Sequence, residues 1–204
     1  MDMVEKVKGF LLEPKKTYVA SKEDTLTDAM RYYIIIAVVF SALFAFMSSL
    51  ASSLFSSMMG SKQFGMMFTP GAEVEEATLL FARSLILGVM GIFLLGCILH
   101  IFVYLMGGRR GNKQTIKAVM YAATPGLLFG WSPFIYSIAA LWSLVLVILG
   151  IRELHEITTA RAIMTLVIPI IILFVIAAVV VFMIFQGASD WTPIPTYGHE
   201  IIRQ

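Results

Sequence analysis

Between Tyr32 and Phe185 the sequence is a succession of apolar runs, and the longest polar connection between them is Met58 to Ala77. A hydrocarbon core of roughly 30 Å is crossed by about 20 apolar residues in a helix. Within lipid, a helix satisfies every backbone polar group inside its own segment. The runs therefore predict an all-α, polytopic membrane protein of five transmembrane helices. Composition agrees, with 59% hydrophobic and 14% charged residues, against about 25% charged in a soluble domain.

Read in order, residues 1–24 form an N-terminal segment. Met3, Val4, Val7, Phe10 and Leu11 recur at helical spacing, with Asp2, Glu5, Lys6 and Lys8 on the other side. The pattern predicts a short amphipathic helix over Met1 to Leu12, ended by Pro14. At roughly 18 Å it is too short to span. Val4, Val7, Phe10 and Leu11 are expected to contact the membrane surface, the alternative being that the helix docks beneath the bundle. Lys15 to Asp24 reads as a loop. Thr25-Leu26-Thr27-Asp28 offers a hydroxyl cap with a carboxylate three residues on.

The membrane domain is expected over 25–186, with spans at about 32–55, 79–106, 115–130, 133–149 and 160–185. Ser48, Ser52 and Ser56, with Ser49, Ser53 and Ser57, make a small-residue stripe on the first. Ala122, Gly126 and Gly130 do so on the third. Such faces allow close helix approach in lipid, within the chain or between copies in a homo-oligomer. Pro125 predicts a kink. Gly107 to Lys113 is a basic glycine turn, the third and fourth spans are pinched apart at Trp131-Ser132-Pro133, and Ile151 to Thr159 is a second charged connection. The tail, 187–204, is polar.

With five spans, twelve of the fifteen basic residues fall on the side of the N-terminus, the exceptions being Lys62, Arg83 and Arg203. Basic residues concentrate in the cytoplasm, so the N-terminus is expected there and the C-terminus outside, in the plasma membrane if the source is prokaryotic. Met1 to Lys16 has no secretion-signal core.

No phosphate-cradling glycine loop, zinc-protease helix, nucleophile elbow or paired cysteines occur, and no enzymatic activity or cofactor is expected. The basic residues are accounted for by topology, leaving no case for nucleic acid. His100 is the sharpest single residue, because an ionisable group at membrane depth is costly. His155, with Glu153 and Glu156, sits in the second charged connection. Should the second and fourth spans end side by side, these groups could form a metal or proton site. The plainer reading is a neutral His100 bonded to a neighbouring helix and a solvated His155.

The span ending in His100, Gly107 and Gly108, then Thr115, Tyr121 and Pro125, Trp142, Gly150, His155 and Arg161 together resemble the Yip domain family, the integral membrane proteins whose eukaryotic members interact with Ypt/Rab GTPases. The resemblance extends from about Leu12 to Phe185. It implies a five-span helical domain with a cytoplasmic N-terminus. Only about thirty residues precede the first span, which looks more like the compact prokaryotic or archaeal-type members. The expected function is a non-enzymatic scaffold that shapes the bilayer or recruits a cytoplasmic partner. The alternative is a small transporter or channel with a polar pathway near His100.

Overall fold

The computed structural model describes residues 1–59 and 74–189. Lys62, Glu73 and most of the polar tail, with Trp191 and Tyr197, lie outside the described residues, as do the side chains of Ser52, Ser53, Ser56 and Ser57. All regular structure among the described residues is α-helical: α1 Met3–Leu12, α2 Pro14–Ala20, α3 Leu26–Met59, α4 Val74–Leu105, α5 Asn112–Ala122, α6 Thr124–Phe129, α7 Pro133–His155 and α8 Thr159–Ser189. The chain forms two units, the first ending at Leu166 and the second starting at Val167.

In the first unit, α1 opens with a reciprocal cap. The Met3 amide donates to Asp2 Oδ1 at 2.7 Å, and the Asp2 amide donates to Glu5 Oε2 at 3.2 Å. Pro14 ends α1, but it also starts α2, where a loop was expected. A proline at the first helical position lacks only an N–H that has no intrahelical partner there. Helix α3 begins on the predicted cap, with the Asp28 amide donating to Thr25 Oγ1 at 3.2 Å and the Thr25 amide donating to Asp28 Oδ2 at 3.0 Å.

Among the described residues, four helices are long and apolar enough to cross a membrane, over Leu26–Ala51, Ala77–Leu105, Ile135–His155 and Thr159–Gln186. The expected span at 115–130 is instead two helices, α5 and α6, broken at Ala123. Pro125 cannot donate to the Tyr121 carbonyl four residues back, and its ring would clash with it. The Thr124 hydroxyl takes that carbonyl instead, at 2.6 Å. Residues 115–122 are all buried, because α5 packs against α3, α4 and α7 together. Ala122 is buried and the Gly126 amide donates to Ser143 Oγ of α7 at 3.2 Å. This small-residue face is therefore used inside the chain.

The helix expected over 133–149 runs six residues further, to His155. The connection that follows is correspondingly tight. Glu156 turns left-handed at φ 55°, and the Ile157 amide donates back to the Arg152 carbonyl at 3.2 Å.

In the second unit, the rest of α8 is apolar, and every side chain from Ile170 to Phe185 is exposed. Pro169 sits inside this helix.

Candidate functional site

Helix α5 gathers the polar chemistry of the first unit. At its C-terminal end the Tyr121 ring is fully buried. Phe10 stacks on it at 4.7 Å, and Tyr32 and Tyr18 meet it edge-on at 5.4 and 6.3 Å. Its hydroxyl donates to Asp24 Oδ2 at 2.5 Å, and the same oxygen accepts from Lys6 Nζ at 2.6 Å. One turn earlier, buried Lys117 donates to the carbonyls of Lys22 at 3.0 Å and Asp24 at 2.6 Å, tying the chain before α3 onto α5. A buried charge is tolerated only when its hydrogen bonds are met, and here the two lysines are met by Asp24 and by loop carbonyls.

The tyrosines complete the clasp. Tyr18 donates to the Ala118 carbonyl at 3.2 Å, and Tyr32 shares a hydrogen bond with Thr124 Oγ1 at 2.9 Å. Burial, with Tyr32 adding to it, pushes the Tyr18 phenol well above its usual range, which keeps it a donor. Gly150 is where the Tyr18 ring lies, since a Cβ there would come within 2.8 Å of the ring.

Of the four residues expected on the membrane surface, Phe10 is therefore the opposite, a fully buried core side chain. Its ring finds three aromatic partners inside the bundle, each such pair worth about 0.5–1.5 kcal/mol beyond area burial. Val7 and Leu11 are half-buried and Val4 remains exposed. The outward apolar residues of this hairpin are Met1, Val4, Leu12 and Val19.

Near the start of α5, Thr115 stands between the two histidines. Its Oγ1 is 2.8 Å from His100 Nδ1 and 2.9 Å from His155 Nε2, with the ring centroids 6.0 Å apart. The second and fourth expected spans bring these two rings to either side of a single α5 residue. His155, however, lies in the last turn of α7 and is 4% exposed, rather than solvated in a turn. A metal ion between the rings would have to displace the Thr115 hydroxyl that holds both inner nitrogens. Glu153 and Glu156 do not join them, since Glu153 pairs with Arg152 and Glu156 with Lys22 and Arg110. Among the described residues no group of three or more His, Cys, Asp or Glu side chains could hold a metal. His155 Nδ1 is buried without a hydrogen-bond partner among the described residues. Gly108 approaches it so closely that a Cβ would lie 3.0 Å from that nitrogen and 2.4 Å from Val103 Cγ1.

Around this core runs a charged rim. Glu156 accepts from Lys22 Nζ at 3.0 Å and from Arg110. The Lys22 hydrogen bond, with Arg110 adding to it, holds its carboxyl below the usual carboxylate range. Arg109 lies over the Tyr104 ring at 3.9 Å, and Arg161 reaches Gly107. Pro125 is buried at the start of α6, and Trp142 is 37% exposed on α7.

Of the pattern residues, the structure brings together His100, Thr115, His155 and Gly108, sets Arg161 on Gly107, and places Tyr121 and Gly150 in the clasp, while Pro125 starts α6 and Trp142 stands apart on α7. Sequence reasoning passed over Lys6, Tyr18, Asp24 and Lys117 as site residues. The available signal was Lys117, a cation within a segment expected to span, which needed a buried partner.

A family model for the Yip1 domain matches residues 8–181. The matched stretch takes in most of the α1–α2 hairpin, the clasp on Tyr121 apart from Lys6, and the histidine pair. No curated protein and no solved structure shows significant similarity to the chain. On the strength of a match that covers most of its length, the chain belongs to the Yip1 domain family.

Proposed function

We propose that this protein is a non-enzymatic membrane scaffold with five crossings, a cytoplasmic N-terminus and an external C-terminus, which shapes the bilayer or recruits a cytoplasmic partner. The third crossing is α5 followed by α6. From Asn112 to Phe129 the pair provides roughly 27 Å of helix, and the Gly126 to Ser143 hydrogen bond sets α6 beside the middle of α7. A third crossing keeps the basic turns at Arg109 and Arg152 on one side, as charge sorting requires. The outward Val4, Leu12 and Val19 of the α1–α2 hairpin, flanked by Lys8 and Lys15, give a partner or the membrane surface something to bind.

The observation that carries the scaffold reading is the Thr115 bridge. His100, the residue a transport pathway would most need, is bonded to a neighbouring helix, which is a way of closing a bundle. Reconstitution tests it directly. Vesicles containing the protein should change shape under electron microscopy while leaking protons and small ions no faster than empty ones. Flux that falls in His100→Ala would establish the small transporter instead.

A further inference from the structure

The rim near Gly107 is not electrically balanced. Arg110 pairs with Glu156, and Arg152 with Glu153. Arg109, Lys113 and Arg161, all exposed, have no carboxylate within ion-pair distance among the described residues. Two of these surplus cations flank one turn. Gly107 has φ 95°, and a Cβ on it would lie 3.2 Å from Arg161 Nη1, so the Arg161 guanidinium crosses the open side of the turn. Arg109, two residues further on, folds back over the Tyr104 ring.

Their depth is informative. Tyr104 is exposed one residue before the end of the apolar stretch Ala77–Leu105, and Arg161 is two residues past the start of Thr159–Gln186. Both guanidiniums therefore sit level with the ends of two membrane-length helices, where aromatic rings and headgroups meet. A guanidinium is a planar fork that matches phosphate oxygens in pairs and keeps its charge at any working pH. Stacked on a ring, it still offers its edge N–H groups.

We infer that Arg109 and Arg161, on either side of Gly107, form a binding site for the phosphate of an anionic phospholipid headgroup. The inference rests on the proposed placement of this end of the bundle at a lipid interface. Arg110, already committed to Glu156, lies outside the site.

The test uses the purified full chain in mild detergent, with phosphatidylglycerol, phosphatidylcholine or inorganic phosphate added back. Bound lipid is counted by native mass spectrometry. Phosphatidylglycerol should bind and the other two should not. A charge-assisted hydrogen bond is worth roughly tenfold or more in affinity, so Arg109→Gln and Arg161→Gln should each weaken binding about tenfold and Arg110→Gln should not. Equal binding of phosphatidylcholine, or unchanged binding in the Arg109→Gln, Arg161→Gln double variant, overturns the site. Displacement of the lipid by inorganic phosphate at matched concentration would make it a free-phosphate site and also overturn it. If the double variant does not fold, Arg109→Gln alone, at an exposed guanidinium, decides by the same criterion. Because lipid is added to detergent solution, failure here leaves the scaffold reading intact, which vesicle shape and leakage decide separately.

Discussion

Helices α5 and α8 invert the rule that governs water-soluble proteins. The first carries Lys113, Gln114 and Lys117, yet its residues 115–122 are all buried. The second is among the most apolar stretches of the chain, and its side chains from Ile170 to Phe185 are all exposed. In lipid, apolar surface gains nothing by leaving its surroundings, while polar groups gain by finding each other. The contrast teaches that polarity in this chain does not foretell exposure: a polar stretch is covered by its neighbours, while an apolar one keeps a surface suited to lipid.

The sharpest way to break that contrast is to remove its central carboxylate. Asp24→Ala leaves Lys6 and the Tyr121 hydroxyl without their partner, and breaking such a pair costs about 3–5 kcal/mol when buried. Asp24 keeps 22% of its side chain exposed, so the lower end is expected, read as a large drop in thermal stability in detergent. Replacing both charges, as Lys6→Met with Asp24→Leu, should restore part of the loss. Next comes Thr115→Val, which strips both histidines of their shared hydroxyl. Unsatisfied buried groups cost about 1–3 kcal/mol, and Thr115→Ser should retain most of the stability.

A smaller effect belongs to Glu156. Its carboxyl is held below the usual range, so the Lys22 and Arg110 contacts contribute fully above that range and are lost as pH falls through the lowered value. The unfolding temperature should show a shallow acid step that salt reduces and Glu156→Gln removes. Smallest of all is Phe174→Ala on α8, an exposed site where a change beyond about 0.5 kcal/mol is not expected. A large effect there would mean that α8 is held by protein rather than by lipid.

Much of the fold was legible because lipid demands long apolar runs, and α3, α4, α7 and α8 all supply them. The pairing of α5 with α6 was harder to read. Its Lys117 lowers its hydropathy for a reason visible only in three dimensions, namely that neighbouring helices bury it. Phe10 was misassigned on the same ground. Amphipathic spacing identifies an apolar face without saying whether membrane or protein covers it. The meeting of His100 and His155 could be raised from the hairpin topology, but the hydroxyl between them could not. Asp24 was unreadable because its Tyr121 partner lies 97 positions away, and nothing local marks a loop aspartate as the seat of a buried lysine.

A hydroxyl has a single hydrogen to give. While both imidazoles are neutral, Thr115 can donate to one ring at most, so at least one of the two facing nitrogens, His100 Nδ1 or His155 Nε2, carries its own hydrogen and donates to the hydroxyl. The two helix ends thus exclude one proton arrangement between them, and nitrogen chemical shifts would never be found to show both facing nitrogens bare.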